Sequence, residues 1–141
     1  MLRPVTRAGL TASIALLAVS GCSLGADEEK GTTAPARAAT KQVAAAVSAL
    51  DRALRAEDWR TLCDRLFTPA ARERAGGNDC VRLVRASAGD LRGAHVELVG
   101  IEVGKAEARA RVRTRARGQR PLTDTLMLRR VGGTYRIEAV R

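Results

Sequence analysis

The sequence predicts an α+β domain, with N-terminal helices packed on a curved antiparallel four-strand sheet. Two observations predict it. Between Thr40 and Ala88 apolar residues recur every three or four positions, the period of a buried helix face. After Gly93 the period falls to two and Val and Ile become frequent, as in strands with one buried face. Helices that precede the strands, rather than alternate with them, favour an antiparallel meander. A chain of 141 residues, 45% of them hydrophobic, has room for one such domain and enough apolar content to fold it.

The elements follow in order. Val43, Val47, Leu50 and Leu54 place a helix over Thr40 to Glu57, with Thr40 as its N-cap. Asp58 caps a short helix from Trp59 to Phe67, with Leu62, Cys63 and Leu66 on one side and Trp59 as an anchor. Thr68-Pro69 opens a further turn through Arg74, because Pro suits the first helical position. Gly76-Gly77 breaks it. A fourth helix runs from Cys80 to about Ala88 with Val81, Leu83 and Val84 apolar, and Gly89-Asp90 stops it. His95 to Val103 alternates loosely and reads as the first strand. Lys105 to Arg117 alternates strictly, with Ala106, Ala108, Ala110, Val112, Thr114 and Ala116 on one face. Leu122 to Val131 and Thr134 to Val140 complete the sheet, joined by the two-residue hairpin loop Gly132-Gly133.

Residues 1–21 have the layout of an export signal. Arg3 and Arg7 form a positive start, Leu10 to Val19 is a ten-residue apolar core, and small residues precede Cys22. The core is too short to span a bilayer as a helix. Val19-Ser20-Gly21-Cys22 resembles the lipobox of bacterial lipoproteins. That resemblance implies diacylglycerol on the Cys22 thiol, cleavage before Cys22, and a protein held at the extracytoplasmic face of the cell membrane. Residues 22–38, rich in small and polar types with no apolar period, read as a flexible tether before a domain over 39–141.

Of the three cysteines, Cys63 and Cys80 remain after lipidation. An even remainder in an exported protein suggests a disulfide, worth on the order of 3 kcal/mol for a loop of about 18 residues. Two unpaired buried thiols are the alternative. A zinc site would be short of ligands, since no histidine lies near either cysteine.

From residue 38 on, the chain resembles small lipoproteins of high-GC Gram-positive bacteria that carry a nuclear transport factor 2-like domain. The resemblance rests on Ala56-Glu57-Asp58-Trp59, Leu62-Cys63, Thr68 to Arg72 with Cys80 following, and Gly132 to Ile137. It implies a cone in which helices cover a strongly bent sheet, with the two cysteines paired inside the helical part. It also implies a GC-rich genome, which by itself would enrich the 22 arginines.

Domains of that cone type include isomerase-like and cyclase-like enzymes as well as many non-enzymes, so fold does not decide function. The enzymes need an acid or base in the cone. The candidates here are His95, Tyr135 and Asp124. His95 falls at a strand end, where an exposed or capping role is the plainer reading. Tyr135 alternates with Ile137 and Ala139 and reads as core. Asp124 shares a strand face with Leu122, Leu126 and Leu128, which makes it a carboxylate near a pocket if that face is the core. No nucleophile triad, metal-ligand spacing or phosphate loop is present, and no catalytic residue, metal or cofactor is assigned.

Arg109, Arg111, Arg113, Arg115 and Arg117 form a basic stripe on the other face of the second strand, about 27 Å long at about 3.4 Å per residue. Like charges on one face repel, so acids such as Glu102 and Glu138 must help or the face must stay wet. The stripe suits an anionic envelope partner, and a solvated outer face is the plainer alternative. Nucleic acid is excluded as a partner by export and by the lack of an aromatic stacking platform. Removing Arg3 and Arg7 with the signal takes the net charge from +10 to +8. The sequence thus predicts a membrane-anchored, non-catalytic module that binds a small apolar ligand or an envelope partner. An isomerase-like or cyclase-like enzyme and a structural envelope protein are the alternatives.

Overall fold

The structure, a computed structural model, describes residues 33–91 and 93–141. The export signal, Cys22 and residues 23–32 of the tether lie outside the described residues. The described residues form an α+β domain, with helices packed on a four-stranded antiparallel sheet of order β1-β2-β3-β4.

Helix α1 spans Ala34–Arg55. It begins six residues before Thr40, which is therefore not its cap; the Thr40 hydroxyl donates to the Ala36 carbonyl inside the helix (2.9 Å). Alanines 34, 36, 38 and 39 are strong helix formers and Pro35 fits the first turn, so the segment 34–38 read as tether is helical. Only from Ala39 does the helix bury side chains, and there the apolar period starts. At its end the Asp58 N–H bonds the Ala53 carbonyl and the Glu57 N–H bonds the Leu54 carbonyl. This paired closure needs a left-handed residue, and Glu57 supplies it at φ 52°.

Asp58 caps the next turn, α2 (Trp59–Thr61), accepting from the Thr61 N–H at 3.0 Å and its hydroxyl at 2.7 Å. The chain continues as a π-helical segment, Leu62–Leu66, closed by the Phe67 N–H on the Leu62 carbonyl. Trp59, Leu62, Cys63 and Leu66 are all buried. Helix α3 spans Pro69–Arg74 and its cap, Thr68, accepts from the Ala71 N–H. Gly76 then turns the chain at φ 110°, where a side chain would also collide with Leu83. Helix α4 spans Cys80–Ser87. A disulfide joins Cys63 to Cys80 and so ties the π-helical segment to α4. Of the apolar residues of α4, Leu83 is exposed and Val81 and Val84 are half-buried.

The strands are β1 (His95–Val103), β2 (Glu107–Arg115), β3 (Leu122–Val131) and β4 (Thr134–Val140). Gly132 and Gly133 both take positive φ, as the tight β3–β4 hairpin requires. Helix α1 lays Val43, Val47, Leu50 and Leu54 on Val96, Ala108, Ala110, Val112, Leu126, Leu128 and Ile137. Two bulges interrupt the ladders. One lies between Leu98 and Gly100, and the other between Met127 and Leu128 opposite β4. The first explains the loose alternation of β1: with Val99 extruded, Leu98 and Ile101 both pack against the core.

Candidate functional site

A cavity of about 250 Å³ lies between the helices and the sheet. Leu50 and Leu54 of α1 line it together with Leu62, Phe67, Val96, Val112, Leu126 and Ile137. Leu122 and Val140, 60% and 59% exposed, mark its open end. The β4 bulge matters here. It shifts the alternation by one residue, so Val140 lines the cavity as Ile137 does. Polar groups are few: Thr114, Asp124, Gln119 and Arg120. Asp124 is half-buried, and among the described residues its carboxylate has no hydrogen-bond or ion-pair partner. Its oxygens are open to solvent, and they are the one carboxylate among the described residues that line the cavity.

Of the three residues proposed from the sequence for a pocket, only Asp124 lines this cavity. Tyr135 is buried under the Arg130 guanidinium, 5.9 Å from the ring centre. His95 lies at the start of β1, with Nδ1 2.7 Å from an Asp51 carboxylate oxygen. The structure therefore does not assemble His95, Tyr135 and Asp124 into one site. The reason is topological. Tyr135 opens β4 beside Arg130, at the far end of β3 from Asp124, and His95 points toward α1.

Asp51 escaped the sequence reading. It is buried on α1, and it accepts from the Val96 N–H at 2.9 Å, contacts His95 and pairs with Arg55 at 2.6 Å. Burial pushes its carboxyl up. The Val96 hydrogen bond, His95 and Arg55 outweigh that and hold it below the usual aspartate value. The available signal was an acid on the buried stripe of α1, between Val47 and Leu54. The turn residues Gln119 and Arg120 were missed as well, because nothing in a turn's composition says that it folds over a cavity.

Glu138 does not serve the basic stripe. It accepts from the Thr68 hydroxyl at 2.6 Å and pairs with Arg74 at 3.0 Å; Arg74 also donates to its backbone carbonyl. The Thr68 hydrogen bond, then Arg74, hold its carboxyl below the usual glutamate value. This ties α3 to β4. On the stripe, Glu102 meets Arg109 at 3.9 Å and Glu97 meets Arg115 at 3.5 Å. Arg117 lies past the end of β2.

Among the described residues no group of three His, Cys, Asp or Glu side chains is placed to hold a metal ion. No described helix is long and apolar enough to cross a membrane. No family model, no characterised protein and no solved structure matches the chain.

Proposed function

We propose that the protein is a lipid-anchored envelope module that binds a small, mainly apolar ligand in the cavity between its helices and its sheet. The observation that carries this reading is the cavity itself: about 250 Å³, walled by Leu, Val, Ile and Phe, open at Leu122 and Val140. Ligand sites of this kind combine an apolar wall with a few polar groups that set orientation. Asp124 is such a group, and a ligand hydroxyl or amine would satisfy it. The lipid anchor at Cys22, the signal before it and the extracytoplasmic location belong to the same proposal and are motivated by the sequence around Cys22. The disulfide supports it, since such bonds persist in oxidising compartments. A cone of the nuclear transport factor 2-like kind is proposed as well. Two bulges in a four-strand meander favour a bent sheet.

Native mass spectrometry tests the reading on the chain recovered from its own membrane without reducing agent. The expected result is a protein carrying a small bound mass, absent from Ala116→Phe, which fills the cavity. A bare wild-type mass, or the same adduct on Ala116→Phe, rejects it. The unpartnered Asp124 also favours a second reading, proton transfer to and from a bound ligand. It would exchange a ligand C–H for deuterium in heavy water, and Asp124→Asn would abolish the exchange. Ligand recovered without deuterium leaves binding alone.

A further inference from the structure

The basic stripe is not uniform. Arg109 and Arg115 each meet an acid on β1, whereas Arg111 and Arg113 have no ion pair among the described residues, Arg113 although Glu97 stands opposite it. The β1 bulge sets Gly100 opposite Arg111, and on the other side β3 sets Thr125 opposite it. Neither neighbour carries charge. Among the described residues Arg111 has no ion pair, although two acids stand on the adjacent strand. Beyond Thr125 comes Arg141, whose backbone N–H and carbonyl pair with those of Thr125 at 3.0 and 2.7 Å. Its side chain also has no ion pair among the described residues.

These residues surround an open hollow of about 480 Å³ on the face opposite the helices. Arg109, Arg111 and Arg141 line it, with Gly100 and Thr125 between them and Glu102 as its one acid. Gly100 puts no side chain beside Arg111; a Cβ there would lie 3.6 Å from the guanidinium, in van der Waals contact with it. Arg109 faces Glu102, which leaves the Arg111 and Arg141 guanidiniums and a hydroxyl to meet a tetrahedral oxyanion, which accepts several charge-assisted bonds at once.

We propose that this hollow binds a phosphate group, with Arg111 and Arg141 as its principal ligands and Thr125 as a hydroxyl donor. The site is independent of the cavity and of any ligand held there. The same chemistry comes either from a free phosphate or from the headgroup of an anionic phospholipid, and two measurements separate the sources. In the first, inorganic phosphate is titrated into the full chain at low salt and followed by amide NMR at Gly100, Arg111 and Thr125. In the second, the chain is floated with phosphatidylglycerol or phosphatidylcholine vesicles over a salt series. Arg111→Gln and Arg141→Gln are compared with Arg117→Gln, a stripe residue outside the hollow.

The expected result is that Arg111→Gln weakens binding about tenfold or more, because one charge-assisted contact is lost. Arg117→Gln should change it less than twofold. Saturable shifts with inorganic phosphate identify a free-phosphate site. Hollow-dependent binding to phosphatidylglycerol alone identifies a headgroup site. Equal weakening by Arg111→Gln and Arg117→Gln would mean diffuse charge attraction and overturns the proposal. So does the combination of no saturable phosphate shift and no preference for phosphatidylglycerol over phosphatidylcholine that Arg111→Gln or Arg141→Gln reduces.

Discussion

Asp51 should be the costliest single polar side chain to remove from this domain. It is one of only two polar or charged side chains buried in the described residues, and it clamps α1 to the first residues of β1. Asp51→Ala takes away the acceptor of the Val96 N–H, in a buried setting. A hydrogen bond to a charged group contributes about 1.5–3 kcal/mol, and an orphaned buried donor costs about 1–3 kcal/mol; these overlap, so the expected loss is about 3 kcal/mol. Arg55 adds little, because its side chain is 55% exposed. For a domain of this size that loss lowers Tm by about 10–15 °C. Asp51→Asn keeps an oxygen for Val96 and should lose only about 1 kcal/mol. Urea unfolding followed by circular dichroism measures both variants. The pH dependence gives a second check. The Asp51 carboxyl is held below its ordinary value, so its contribution is complete above about pH 4 and disappears as the pH falls through the folded value. Asp51→Ala should therefore flatten the acid side of the stability profile. A loss under about 1 kcal/mol for Asp51→Ala would refute the clamp.

Three further outcomes are expected. Replacing Cys63 and Cys80 together by Ser should cost about 3 kcal/mol at a sequence separation of 17, and reduction of the wild type should reproduce that loss in the same urea titration. Glu138→Gln should make the acid loss of stability shallower than in the wild type, with the Asp51 and Asp58 contributions left in place. The Glu138 carboxyl is held low by Thr68 and Arg74, so the wild-type contribution is present above about pH 4.3 and fades below it. Equal acid sensitivity in the two proteins would contradict that. Glu57→Gly should stabilise by about 0.5–1 kcal/mol in thermal melts, because a left-handed non-glycine costs about 1–2 kcal/mol and glycine's extra unfolded-state entropy returns part of it.

Periodicity made most of the fold legible. Val43, Val47, Leu50 and Leu54 could share a buried stripe only on a helix, and Ala108, Ala110 and Val112 could share a face only on a strand. Caps and breakers at Asp58, Thr68-Pro69, Gly76-Gly77 and Gly132-Gly133 then set most of the boundaries. The start of α1 was not legible, because its first turn buries nothing and alanine carries no periodic signal. The two bulges were not legible either. A bulge is a mismatch between two strands, and no single strand's sequence records it. Yet the bulges decide which residues reach the site: Val140 toward the cavity, Gly100 opposite Arg111. Tyr135 and His95 were candidates by residue type alone, and topology sent each elsewhere.

A compositional bias would set how many arginines a chain has but not how they are matched. An excess of arginine spread over a solvated strand face would find acids wherever the next strand offers them. Arg109 and Arg115 behave this way, each with a glutamate of β1. Between them on the same face, Arg113 stands opposite Glu97 without an ion pair and Arg111 meets a glycine. Val112, the next residue, points the other way, into the apolar cavity. Strand β2 thus carries the wall of one hollow and the cationic side of another within two consecutive residues. The bulge on β1 separates their chemistry, because it keeps the inner face apolar through Leu98 and Ile101 while it withdraws the side chain that would otherwise cover Arg111. The inner face alone accounts for the bulge, and if the hollow binds phosphate the same withdrawal is what lets the anion approach the Arg111 guanidinium.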